Sequence, residues 1–243
     1  MRSLYKYLPT RYVDGFVRRG EVLFRALSYF RDYEDAQIRG DQFEGTKLHR
    51  PKQGLEITLT ETQEKIVLPH TFESATNEDD IFVFCLSTAL SADLATQFRA
   101  DACIEIRRPA KFISKVRAAL VRRASIKDKT LVHGEVNYYV EENPPIVDWA
   151  LPERIAMSKL RTYASQCEYR LAFAVNDAFR VENTRLRLVA PGERRLARAA
   201  SHPEHFLKLG NVADMCTVHR FDEDGSKPVA APGCLRQSVN SSV

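Results

Sequence analysis

Ser165-Gln166-Cys167-Glu168-Tyr169-Arg170-Leu171-Ala172-Phe173 is the most regularly patterned stretch of the 243-residue chain. Side chains alternate across a β-strand, so Tyr169, Leu171, Phe173 and the following Val175 fall on one face, and Glu168, Arg170, Ala172 and Ala174 on the other. The first set is an apolar row that must be covered. The second begins with a carboxylate, and in an extended backbone Gln166 emerges on the same face as Glu168. From spacing alone the simpler reading pairs Glu168 with Arg170 across one pleat on a solvated face. The sharper reading makes Gln166 and Glu168 a site.

Outward from this strand the chain reads as alternating short elements. Ile81-Phe82-Val83-Phe84-Cys85-Leu86-Ser87 is a near-continuous apolar run, as expected for a central strand buried on both faces. Leu4 to Leu8 reads as a first strand ended by Pro9, Arg11 to Arg19 as a short helix stopped by Gly20, and Glu21 to Ala26 as a second strand. Leu55 to Leu59 and Lys65 to Leu68 suit a hairpin. Ser91 can cap a helix through Ala100, and Ala102 to Arg107 follows as a strand. Pro109 suits the first turn of a helix to about Arg123, with Phe112, Ile113, Val116 and Leu120 on one face.

Other segments are less regular. Residues 31–54 are polar and turn-rich and read as a long loop, and Glu73 to Asp80 as an acidic loop. His133 to Glu141 is expected as a strand, Leu151 to Tyr163 as a helix, and Leu186 to Val189 and Met215 to His219 as strands. The last two are joined through a segment holding His202, His205 and Gly210. Residues 1–221 are expected to form one domain. Residues 222–243, rich in Gly, Pro, Ser and Ala, read as a disordered tail.

The hydrophobic share of 44% and charged share of 28% fit a globular chain and exclude fibrous or wholly disordered classes. Nothing at the start resembles a secretory signal, and no run reaches the roughly 18 to 20 apolar residues of a membrane span, so a cytoplasmic protein is expected, without a membrane partner. Five cysteines lack metal-site spacing, so neither a zinc site nor a disulfide framework is expected. The net charge of +4 is compatible with a nucleic-acid substrate. Its patches are Arg117, Arg122, Arg123, Lys127 and Lys129, and Arg185, Arg187, Arg194, Arg195 and Arg198, though such runs usually just face water. Asp32, Glu34, Asp41 and Glu44 superficially suggest a hard metal site, but without rigid spacing; ion pairing with Arg31, Arg39 and Lys47 is the favoured reading.

Four segments in order carry a resemblance: Leu4-Tyr5-Lys6-Tyr7, Phe30-Arg31-Asp32-Tyr33-Glu34, Cys85-Leu86-Ser87, and Gln166-Cys167-Glu168-Tyr169-Arg170-Leu171. Together they resemble the bacterial family classed as domain of unknown function 2971, which is similar in layout to ADP-ribosyltransferases. The chain departs from that pattern at Arg31 and Tyr33, where Asn and Pro are usual, and in lacking a Trp-rich segment around Ala89 to Phe98.

The resemblance implies an α+β fold of two packed, mainly antiparallel sheets around an NAD cleft, with flanking helices. It implies an NAD-dependent mono-ADP-ribosyltransferase with NAD as substrate and no metal, acting on a nucleic-acid or protein acceptor in a toxin or anti-phage setting. An antitoxin or immunity partner would suit that setting. Glu168 would stabilise an oxocarbenium-like transition state and hold the ribose hydroxyl, while Gln166 would orient the acceptor. Lys6 or Tyr7 would fill the first-strand position and Ser28 or Tyr29 the second. Lys6 or Arg25 would hold the diphosphate, and Tyr29 would stack on nicotinamide. An NAD glycohydrolase and a catalytically inactive nucleotide- or nucleic-acid-binding module are the alternatives.

Overall fold

Gly20 governs how the chain enters its main sheet. A computed structural model describes residues 2–32, 41–146, 148–193 and 201–221; the expected tail at 222–243, together with Tyr33, Glu34, Arg39, Arg194, Arg195 and Arg198, lies outside them. Helix α1 (Val13–Arg19) joins strands β1 (Leu4–Leu8) and β2 (Glu21–Ala26), and Gly20 caps it in the left-handed conformation, φ 63°. A Cβ there would stand 2.2 Å from the Gly210 carbonyl oxygen, so both the dihedral and the close approach call for glycine.

The protein is a mixed α/β structure with several mainly antiparallel sheets. The largest has eight strands, in the order β14 (Glu204–Lys208), β2, β7 (Ile81–Ser87), β1, β8 (Ala102–Ile106) and β15 (Cys216–Arg220), with β12 (Glu168–Ala174) paired to β7 and β9 (Val132–Glu135) to β12. Strand β7 is the axis, as its apolar run suggests. Along one edge it pairs with β12 from Ile81↔Ala174 to Ser87↔Glu168. Along the other it meets two strands in turn: Phe82 and Val83 face Ala26 and Arg25 of β2, while Ser87 faces Tyr5 of β1. The sheet therefore splits at the level of Cys85, whose carbonyl accepts a 2.8 Å bond from the Lys6 ammonium.

One face of this sheet carries the core. Phe24, Phe84, Ile104, Tyr169, Leu171 and Phe173 pack beneath α1 and α4 (Pro109–Val121), with Phe112, Val116 and Leu120 of α4 fully buried. The alternation read in β12 places Tyr169, Leu171 and Phe173 on this face. On the opposite face, the half near Ile81, Val83, Ala172 and Ala174 is covered by α2 (Leu27–Asp32) and α5 (Pro152–Ala156). The other half of that face carries Cys85, Ser87, Glu168 and Arg170, so the lining changes from apolar to charged along β12.

Smaller sheets lie beside it: β13 (Arg185–Val189), β6 (Thr71–Ala75) and β3 (Thr46–His49) form one, the hairpin of β4 (Leu55–Thr58) and β5 (Lys65–Leu68) another, and β10 (Asn137–Tyr139) with β11 (Ser158–Leu160) a parallel pair. Helix α3 (Ala92–Gln97) begins where Ser91 accepts from the Asp93 and Leu94 amides.

Several expected segments are corrected. The loop expected at 31–54 contains β3, and the acidic loop expected at Glu73 to Asp80 begins inside β6; the two pair with each other, a tertiary choice that local polarity conceals. The strand expected from His133 to Glu141 changes partner at Val136, whose amide bonds Glu168 O while that of Asn137 bonds Met157 O. The helix expected from Leu151 to Tyr163 ends at Ala156, and the Ser158 hydroxyl closes the turn onto Arg154 O, releasing β11. The segment with His202 and His205 contains β14, a short edge strand with Leu207 as its one buried side chain. Among the described residues no helix is long and apolar enough to cross a membrane.

Candidate functional site

Glu168 opens β12, and the residue before it turns the chain. Gln166 ends a 3-10 turn (Arg161–Gln166), and Cys167 is left-handed at φ 45°. The expectation that Gln166 and Glu168 share a face through an extended backbone is therefore corrected: the backbone bends between them. They are brought together instead by Lys159 of β11, whose ammonium donates to Gln166 Oε1 at 2.9 Å and lies 3.0 Å from Glu168 Oε2.

The solvated face expected for Glu168 is also corrected. Glu168 and Arg170 do pair, Nε to Oε1 at 2.6 Å, but Glu168 is 5% exposed and Arg170 1%. Across the cluster Arg170 grips Glu44 with both terminal nitrogens, at 2.6 and 2.8 Å, and donates to Ala156 O. Two carboxylates thus face two cations in a buried, charge-balanced group; a lone ion at this depth would be far too costly. Glu168 also accepts from the Cys85 thiol, and its own amide donates to the Tyr138 hydroxyl at 2.8 Å.

Electrostatics follow from this packing. Burial alone would raise the Glu168 carboxyl, but the Arg170 and Lys159 charges outweigh it and hold the pKa well below the usual range. Burial likewise opposes the Lys159 charge, and Glu168 and Glu44 overcome it, so the ammonium is held more tightly than usual. Burial and the Glu168 charge push the Cys85 thiol up to about 12. Asp41 is raised to about 6, by burial and then by the Glu44 charge. At neutral pH the site thus holds an ionised Glu168, a protonated Lys159 and a neutral thiol.

Above this cluster lies a cavity of about 110 Å³, walled by Tyr5, Tyr7, Phe30 and Phe98 and floored by Glu168, Gln166, Lys159, Cys85 and Ser87, with Lys6 at the split in the sheet. It falls below the roughly 300 to 1,000 Å³ of drug-sized ligand sites, so it accommodates one ring-sized group. Tyr7 is fixed in its wall, donating to Ala89 O at 2.8 Å and accepting from the Ser91 amide at 2.7 Å. The Lys6 ammonium lies 4.4 Å from the Phe84 ring centre.

The structure thus gathers Glu168, Gln166, Lys6 and Tyr7 in one cavity. Arg25, Ser28 and Tyr29 stand outside its lining. Arg25 pairs with Glu204 at 3.1 Å and lies 4.1 Å above the Tyr29 ring, which meets Phe30 and His202 edge-on. Ser28 is buried and donates to Asp79. Of the acidic positions weighed for a metal, Asp32 pairs with Arg31, and Glu44 with Arg170 and Lys159 rather than Lys47. Among the described residues no His, Cys, Asp or Glu group is placed to hold a metal ion. Cys85, Cys103 and Cys216 are free thiols, and Cys167 is disulfide-bonded.

Lys159, and the partners of Glu44, are what sequence reasoning missed. Glu44 sits in the expected loop and meets its partner 126 positions along the chain. Lys159 lay in the expected helix, where no signal separated it from a surface lysine. No protein-family model, curated protein or solved structure matches the chain.

Proposed function

We propose that the chain is an NAD-dependent mono-ADP-ribosyltransferase in which Glu168 is the catalytic carboxylate. The observation that carries this reading is an ionised glutamate at the floor of an aromatic-walled, ring-sized cavity, with an amide side chain tied to it through Lys159. The cavity suits the nicotinamide end of the dinucleotide, with the diphosphate outside it. Stacking on the ring falls to Tyr5 or Phe30 in this arrangement, since Tyr29 is engaged by Arg25.

In the reaction the bond between nicotinamide nitrogen and ribose carbon breaks, and its electron pair leaves with nicotinamide. The positive charge that develops on the ribose is stabilised by Glu168, which also accepts from a ribose hydroxyl. The acceptor forms the new bond to the same carbon and releases its proton to solvent. Gln166, held by Lys159, orients the acceptor. The ADP-ribosyltransferase fold is part of the proposal; the split in the sheet at Cys85, beside the cavity, supports it.

A second reading rests on a specific observation. Both Glu168 oxygens are already engaged by Arg170 and Lys159, the pattern of a structural ion pair, and this favours a non-catalytic nucleotide-binding module. Incubation of the protein with labelled NAD, alone and with nucleic acid or protein lysate, separates the readings. Transfer of label supports the proposal, free ADP-ribose identifies a glycohydrolase with water as acceptor, and binding without turnover identifies the module. Glu168→Gln is expected to lower turnover by roughly 10²- to 10³-fold. Equal activity of a folded Glu168→Gln variant and the unmodified protein would refute the catalytic assignment.

A further inference from the structure

We infer that the outer surface of α4 and the turns on either side of it form a docking face for the phosphate backbone of double-helical nucleic acid. Residues 107–129 hold nine Lys and Arg side chains against one carboxylate, Asp128, a net charge of +8. The whole chain carries +4, so the rest of it is net acidic by four charges. The excess belongs to one continuous segment, α4 with its flanking turns.

These cations differ from those elsewhere in how they are matched. Arg18 and Arg19 pair with Asp14, Arg25 with Glu204, Lys65 with Glu56 and Arg154 with Asp148. In the 107–129 segment, Lys111 with Asp214 is the one ion pair among the described residues. Arg123 and Lys129 donate to the carbonyls of Phe206 and Arg123, which leaves their charge uncompensated. Arg107, Arg108, Arg117, Arg122 and Lys127 are all exposed.

The fold does not call for this arrangement. Helix dipoles favour carboxylates in the first turn. Yet α4 has no acidic residue there, its N-cap is Arg108 with no capping bond from the side chain, and Arg107 and Lys111 flank it. The field also reaches neighbouring elements: burial and then Arg117 lower the His133 pKa, and burial and then Arg123 lower that of His205. Arg107, Arg108 and Lys111 at the N-terminal end lie close to Glu105 and Asp214, whereas Arg117, Arg122, Arg123, Lys127 and Lys129 make no ion pair among the described residues and suit an external polyanion.

The choice of polyanion follows from what the face lacks. A membrane-surface helix inserts an apolar side, but the apolar side of α4 is buried in the core and Val121 is its one exposed large aliphatic residue. Single strands are gripped by stacking bases on aromatic rings, and Phe112, the one aromatic in the segment, is fully buried. What remains is a cluster of cations on α4, a helix about 20 Å long, and on its flanking turns, which suits contact with backbone rather than bases. This face is independent of the NAD reading, because none of its residues lines the cavity.

The test is fluorescence anisotropy of the full-length protein with a labelled 20-base-pair duplex, its single strand, and anionic phosphatidylserine vesicles, from 50 to 200 mM salt. Duplex binding is expected to weaken about a thousandfold across that range, as for six or so phosphate contacts. Arg117→Gln, Arg122→Gln and Lys127→Gln together are expected to weaken duplex binding at least tenfold at 50 mM and reduce the log–log salt slope by about three. The control triple Arg18→Gln, Lys65→Gln and Arg180→Gln removes the same charge from other surfaces and is expected to change affinity less than twofold. Equal loss in both triples would reduce the effect to net charge and overturn the proposal. So would absence of duplex binding at 50 mM, tighter binding to the single strand, or binding to vesicles alone.

Discussion

Along β12, the side that carries Tyr169, Leu171 and Phe173 is held by contact, whereas the side that carries Glu168 and Arg170 is held by charge. Both are buried. The apolar side shares its neighbours with α1 and α4, and apart from the 2.8 Å bond between the Tyr169 hydroxyl and His133 Nδ1 its contacts have no required direction. The charged side depends on named atoms, since Arg170 spans Glu168 and Glu44 and Lys159 spans Glu168 and Gln166. Losing one member of the first set leaves a gap; losing one member of the second leaves an ion without a partner.

The comparison breaks first at Arg170. Arg170→Met is expected to lower unfolding free energy by about 3 to 5 kcal/mol at pH 7, measured by urea titration, because two buried carboxylates are left with Lys159 alone. The loss should shrink towards pH 4. The depressed Glu168 group contributes stability that is fully present above the ordinary carboxylate pKa and is lost only as pH falls on through the depressed folded value, so the unmodified protein keeps most of it at pH 4 while the variant's stranded carboxylates become neutral. Leu171→Ala on the apolar side is expected to cost about 3 kcal/mol, and the same amount at both pH values. A pH-independent Arg170→Met loss would erase the distinction between the faces.

Asp41 sharpens it. Its folded pKa is raised to about 6, so as pH rises from about 4 to about 6 the folded state loses stability through this group and the cost persists above. Asp41→Asn should therefore stabilise the protein by about 2 kcal/mol at pH 7.5 and leave it unchanged at pH 4, read from denaturation midpoints. The smallest effect is expected at Tyr138→Phe, which removes the acceptor of the Glu168 amide and should cost about 1 kcal/mol without altering the pH profile.

How much of this was legible in sequence follows the same division. Strands β1, β2, β7 and β12, and the buried stripe of α4, could be read because their apolar patterns are local and periodic. The burial of the charged face could not: Ala172 and Ala174 are too small to announce a covering layer, and the layer comes from α5 and from the 41–49 region. Lys159 was hidden because Pro152, Ile155 and Ala156 continue a helical spacing that the chain abandons when β11 finds β10. Gln166 and Glu168 line one cavity, but the extended strand geometry read for them fails at Cys167.

Strands β1 and β2 share one edge of β7 without bonding to each other, and this makes the large sheet two leaves on one spine. The leaf of β1, β8 and β15 and the leaf of β2 and β14 are joined through β7, which β12 backs on its other edge. Each leaf can therefore open to solvent without disturbing the other, while the spine opens only with the whole molecule. In amide hydrogen exchange the protein should show three rates in place of one, with the slowest along Phe82 to Phe84 and Leu171 to Phe173.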